Sequence, residues 1–269
     1  MHKTRFFEQQ DGSKIGYKVL EPKHTKNDIP LVLIMGLGAT KEHFLGFEEV
    51  ITFDNRGIGE STVASYESPI TIELMAQDTI ELIRHLGIKR FNLYGASMGG
   101  NIALCVALNV PSDLKLEKLI IGSGFARFKT DTKSYEIAEQ IYNLPKMEYP
   151  KTIHEQKAML LTSEKDLTDY LLEHPDKFDK IAEIMLKTNA NQRQWEAIKQ
   201  SDLISRLQEI KVPTLIIHGE VDEIVPIDAA ELLNREIPNT KFHRIPKVGH
   251  SIYIVECDFV SIVNEFLNN

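Results

Sequence analysis

The sequence predicts an α/β protein: a mostly parallel central sheet, covered by helices on both faces and carrying a helical insertion. Three observations lead there. Short apolar runs, among them Leu31–Met35, Val50–Phe53, Leu119–Ile121 and Leu215–Gly219, alternate with segments of helical spacing. One apolar run, Phe91–Tyr94, passes through the cramped turn Gly95-Ala96-Ser97-Met98-Gly99 straight into a helix of small and aliphatic residues. From about Lys133 to Gln208, β-branched clusters give way to amphipathic segments rich in Lys, Glu, Leu and Ala, broken near Pro145, Pro150 and Pro175. Residues 1–124 and 209–269 are therefore assigned to the α/β core and 125–208 to the insertion.

In chain order, Phe6–Gln9 and Lys14–Val19 flank the turn dipeptide Asp11-Gly12, which predicts an opening hairpin. Leu31–Met35 is apolar without a break, as expected of a strand covered on both faces, and it ends in the flexible loop Gly36-Leu37-Gly38-Ala39-Thr40. Ligands of α/β proteins sit at such strand ends. Val50–Phe53 is a second buried strand leading into Asp54-Asn55-Arg56-Gly57-Ile58-Gly59-Glu60-Ser61. Gly57-x-Gly59 lacks the third glycine and the helix of a phosphate loop, so it reads as a structural turn. Ile72–Leu86 has helical spacing and is stopped by Gly87, and His85 within it reads as a surface or satisfied histidine. After the insertion come a strand at Leu215–Gly219, a helix at Pro226–Arg235, a strand at Lys241–Ile245 and a closing helix at Cys257–Leu267.

Composition narrows the function. The 269 residues, 42% hydrophobic and 26% charged, are ordinary globular usage and enough for a large core. With 31 Lys+Arg against 39 Asp+Glu the net charge is −8, which disfavours nucleic acid or an anionic membrane and suits a small uncharged substrate. Cys105 and Cys257 fall on predicted helices with no ligand spacing around them, so buried free thiols are expected, with neither metal nor cofactor. No run approaches the ~20 apolar residues of a membrane span. The expectation is a soluble cytoplasmic protein, monomer or homodimer, acting on a small molecule.

Gly95-x-Ser97-x-Gly99 has the form of a nucleophile elbow. A serine forced to positive φ at a strand-to-helix turn needs neighbours without side chains, and the helix beginning at Met98 offers free N–H groups beside the hydroxyl. A serine hydroxyl attacks at neutral pH only if a base takes its proton and an acid orients that base. His250, in Lys247-Val248-Gly249-His250-Ser251 after a late strand, is the candidate base. Asp222, in the loop after Leu215–Gly219, is the candidate acid, with Glu220 and Glu223 read as a solvated acidic turn. His218 ends its strand and is expected to point into packing.

These segments resemble the α/β-hydrolase fold family over nearly the whole chain. The resemblance is carried by Gly36-Leu37-Gly38, by Phe53 through Ser61, by Gly95-Ala96-Ser97-Met98-Gly99-Gly100, and by Gly219, Asp222, Val225-Pro226 and Gly249-His250. The chain is most similar to small enzymes with a Gly-x-Ser-Met-Gly-Gly elbow: 3-oxoadipate enol-lactonases, aminoacrylate hydrolases and carbon–carbon bond hydrolases. That implies a Ser97–Asp222–His250 triad, an oxyanion hole from the backbone N–H groups of Leu37 and Met98, and a cap made of the helical insertion. It implies hydrolysis of a small carboxylic ester, lactone or thioester through an acyl-enzyme. Carbon–carbon hydrolysis, acyl transfer and a non-catalytic receptor are alternatives on the same fold.

The chain departs from the family at two places. Met35 stands where the family usually has His before the oxyanion glycine, which removes a side chain but no backbone donor. The interval from Thr40 to Val50 is close to the floor for a parallel crossover, so the first helix is expected to be trimmed to one or two turns, or residues to be absent. In the insertion, Ile137, Ile141, Leu144, Met159, Leu160, Leu161, Ile181, Ile184, Met185 and Trp195 exceed what a thin lid needs. Some are expected to form internal core and a subset to face Ser97 as a pocket wall.

Overall fold

The computed structural model describes residues 3–20, 29–42, 47, 50–65, 67, 70–132, 135–136, 139, 165–176, 179, 191–252 and 258–269. Its centre is an eight-stranded sheet in the order β1-β2-β4-β3-β5-β6-β7-β8. The strands are β1 (Arg5–Glu8), β2 (Lys14–Leu20), β3 (Leu31–Ile34), β4 (Val50–Phe53), β5 (Arg90–Ala96), β6 (Lys115–Gly122), β7 (Thr214–Gly219) and β8 (Thr240–Ile245). The opening hairpin is antiparallel, β2 joins β4 antiparallel, and β3 to β8 run parallel. β6 is longer than its apolar run suggested, because charged Lys115, Glu117 and Lys118 begin the strand at the sheet's rim.

The sheet is covered on both faces, as the unbroken apolar strands require. Strand residues alternate between two clusters: Val32, Ile34, Phe91, Leu93, Leu119, Ile121 and Ile216 on one side, Leu31, Leu33, Tyr94, Ile120, Leu215 and Ile217 on the other. Against the first lie α1 (Ile72–His85), α2 (Met98–Leu108) and α5 (Asp228–Glu236); against the second lies α6 (Phe259–Asn268). α1 shows why a sequence signal becomes a helix. Thr71 caps it by accepting from Leu74 N at 3.1 Å, and Gly87 ends it at φ 70 with the Gly87 N to Arg84 O and Ile88 N to Ile83 O pair of a Schellman turn.

Between residues 125 and 209 the described residues include helices α3 (Lys165–Glu173) and α4 (Asn191–Gln200), and a 3-10 turn at Ile204–Glu209 closing the return. The segment's two ends are stitched together: Arg127 and Asp202 form an antiparallel bridge, and Leu203 N donates to Ala126 O at 3.1 Å. Trp195 is internal core, packed on Phe128 and Tyr135 with its Nε1–H on Glu139 at 2.8 Å. Ile137, Ile141, Leu144, Met159, Leu160, Leu161, Ile181, Ile184 and Met185 lie outside the described residues, as does Cys257, whereas Cys105 is a buried free thiol. No helix among the described residues is long and apolar enough to cross a membrane.

Candidate active site

The strand order places the site. From β3 the chain crosses to β4 on one side and then to β5 on the other, so the crevice outside the carboxyl ends of β3 and β5 is the topological switch point of the sheet. The loop after β3 and Ser97 after β5 meet there. An added Cβ on Gly36 would lie 3.2 Å from Ser97 Cβ, so loop and serine are in direct contact.

Ser97 sits at φ 55, ψ −119 between β5 and α2, a conformation that disfavours any residue with a side chain. The glycines around it are steric necessities. A Cβ at Gly95 would lie 2.1 Å from Gly99 O, and one at Gly99 would lie 2.2 Å from Ile34 O. Although Ser97 occupies the N-cap position of α2, its hydroxyl makes no capping bond. The hydroxyl instead donates to His250 Nε2 at 2.9 Å. The Met98 N–H is at the open end of α2, where no intrahelical acceptor exists.

His250 comes from the loop after β8, held by Ser123, whose hydroxyl donates to the His250 carbonyl at 2.9 Å. Its Nδ1 lies 2.8 Å from Asp222 Oδ2. An ionised carboxylate only accepts, so Nδ1 carries the hydrogen and Nε2 is left as the acceptor facing Ser97. Asp222 is buried in the turn after β7, with Ile224 N and Val225 N donating to Oδ1 at 2.9 and 2.8 Å. Burial alone would raise its carboxyl, but the facing His250 charge and the bonds from His218 and His250 hold it well below the usual range. Asp222 is thus an anion throughout the neutral range. Glu220 and Glu223 are exposed, as the sequence suggested.

His218 is buried, as expected, but its role differs from plain packing. Its Nε2 lies 2.7 Å from Val225 O and 3.1 Å from Asp222 Oδ2. The carbonyl can only accept, so Nε2 carries a hydrogen that both oxygens share, while buried Nδ1 has no hydrogen-bond partner. His218 and Asp222 are four apart in sequence, and only the backbone path of the turn brings them together.

The arrangement joins a hydroxyl, an imidazole and a carboxylate in one hydrogen-bonded line, with the loop after β3 against the serine. Among the described residues no group of three or more His, Cys, Asp or Glu is placed to hold a metal ion. Residues 30–256 match the family described as alpha/beta hydrolase fold. The chain belongs to the alpha/beta hydrolase fold family. Among relatives of this α/β hydrolase is the serine hydrolase BPHL of Homo sapiens, 28% identical over 81% of this chain and 69% of that protein. A 2-hydroxy-6-oxononadienedioate/2-hydroxy-6-oxononatrienedioate hydrolase of Paraburkholderia phymatum is 30% identical over 61% of this chain and 57% of that protein. The enol-lactonase of Burkholderia xenovorans LB400 superposes with a TM-score of 0.82 at 23% identity, covering 98% of this chain and all (100%) of that one, a likeness of fold. This α/β hydrolase is accordingly an enzyme of the hydrolase class.

Proposed function

We propose that the protein is a serine hydrolase of small carboxylic esters, lactones or thioesters, with Ser97 as nucleophile, His250 as base and Asp222 as its orienting acid. The observation that carries this reading is the continuous line Ser97 Oγ, His250 Nε2, His250 Nδ1, Asp222 Oδ2, with separations of 2.9 and 2.8 Å, at a strained serine. Ser97 Oγ adds to the acyl carbon as its proton moves to His250 Nε2, and the Leu37 and Met98 N–H groups hold the tetrahedral oxyanion. Protonated His250 gives that proton to the leaving oxygen or sulfur, and water, deprotonated by the same nitrogen, then releases the acyl group. Residues 125–208 act as a cap over the site, and residues 1–124 with 209–269 as the catalytic core.

Labelling with a fluorophosphonate, followed by turnover of nitrophenyl esters of increasing acyl length, tests the reading. Covalent labelling at Ser97 and multiple turnovers are expected, with kcat/KM rising as pH increases and His250 loses its proton. Each methylene that enters an apolar wall should lower KM, by up to ~0.8 kcal/mol, until the pocket is full. Fast acylation with no product release across the whole series would reject the hydrolase reading in favour of a receptor.

A further inference from the structure

We infer that Gln194, on α4 of the insertion, is a positioning residue that sets the oxyanion loop and so makes the site competent only when α4 is docked. The inference rests on the reading of Leu37 N–H as an oxyanion donor. Residues Gly36–Ala39 form a β-turn closed by Ala39 N donating to Gly36 O at 3.2 Å. Gly38, its third residue, has φ 69, while Leu37 is not among the residues of positive φ, so the turn is of type II. A turn closed by one bond of 3.2 Å can tilt as a unit on its ends at Gly36 and Ala39. Such a tilt carries the Leu37 N–H with it, whereas rotation of the Leu37–Gly38 peptide alone would not, because that N–H lies on the preceding peptide.

Gln194 opposes the tilt. Its Oε1 accepts from Gly38 N at 3.0 Å, and the side chain is wholly buried. Two further ties on the loop lie among the described residues: Asn55 Nδ2 donates to Met35 O at 3.0 Å, and the turn closes on itself. Neither touches the Leu37–Gly38 peptide, whose N–H is held from α4 across 156 positions of sequence. The amide orientation follows: with Nε2 toward Gly38, two donors would face each other. Kept in place, Nε2 is a buried donor without a hydrogen-bond partner, so the contact is maintained against a penalty that an apolar side chain would avoid.

Gln194→Met keeps length and removes the acceptor; Gln194→Glu keeps an acceptor for Gly38 N–H. Hydrolysis of 4-nitrophenyl acetate, affinity for a trifluoromethyl ketone that places an oxyanion in the hole, and Tm are measured for both, with Ser97→Ala as control. The Met variant should lose about 10- to 100-fold in kcat with KM little changed, and lose affinity for the ketone in parallel, the Glu variant retaining more turnover than Met. Met turnover within about threefold of the parent, or equal impairment of Met and Glu with Tm falling in step, would overturn the inference. If the Met variant fails to fold, the Glu variant decides alone: parent-like ketone affinity supports it and loss comparable to that of Ser97→Ala overturns it. Activity surviving Ser97→Ala would instead refute the nucleophile reading beneath it, so the two failures are distinct.

Discussion

At φ 55 Ser97 holds its hydroxyl toward His250 at the expense of backbone comfort, a strain of about 1–3 kcal/mol for a non-glycine residue. Two substitutions separate chemistry from strain. Ser97→Ala should abolish ester hydrolysis, a loss of several orders of magnitude, and leave the fold intact because the hydroxyl is not part of the core. Ser97→Gly should be equally inactive but melt at least as high as the Ala variant, because glycine relieves about 1–2 kcal/mol of crowding against a smaller entropic cost. A Gly variant melting clearly below Ala would show that the turn is not strained. Asp222→Asn keeps the shape of the turn but can offer its amide to Nδ1, favouring the tautomer that leaves Nε2 a donor. Its kcat should fall by about 10⁴-fold while fluorophosphonate still finds Ser97 slowly. Retention of most of the activity would mean that Asp222 does not orient the base.

At the scale of elements, the segment from Thr40 to Val50, where a trimmed first helix was expected, lies partly outside the described residues, and at its start Lys41 ties the chain after β3 to the loop after β4. The side chain is buried, with Nζ 2.6 Å from Asp54 Oδ2 and 2.7 Å from Glu60 Oε2, while Lys41 N donates to Asp54 Oδ1 at 2.7 Å. Burial would lower the Lys41 ammonium, but the two carboxylates raise it overall. Lys41→Met leaves Asp54 as a buried carboxylate without its cation and should cost about 3–5 kcal/mol. Urea unfolding measures this, and a loss under about 1 kcal/mol would mean that the network is not what closes the connection. Nothing in the sequence distinguished Lys41 from a surface lysine. Period and punctuation made the strands, α1, α2 and the elbow legible, since those signals act over a few residues. His218 on Asp222 depends on how one turn folds back, and Gln194 on Gly38 joins residues 156 apart, so neither leaves a local pattern. Ser97, Asp222 and His250 were readable because each stands in the turn or loop that follows a strand, where a parallel sheet gathers its loops.

For the whole molecule, the same buried anion that orients His250 links the site to global stability. Asp222 has a folded-state pKa below its ordinary value of about 3.9, so the folded state binds fewer protons there than the unfolded chain does. Its contribution is therefore fully present above about pH 4 and is lost as pH falls through the folded value. Asp78 acts with the opposite sign: burial beside Arg56 outweighs the guanidinium and raises its carboxyl, so its proton uptake on folding partly offsets the loss from Asp222 in the acid range. Asp222→Asn removes the titration of the first group and leaves the second. The parent protein should hold its Tm between about pH 5 and 7 and fall steeply below about pH 4. The Asn variant should melt lower at pH 7 yet decline less steeply in acid, the two curves converging as Asp222 becomes protonated in the parent. Thermal melts of both proteins from about pH 2.5 to 7 read the difference directly. Curves that stay parallel over that range would mean that Asp222 titrates alike in the folded and unfolded chains, and that the four donors around its carboxylate do not hold it as an anion.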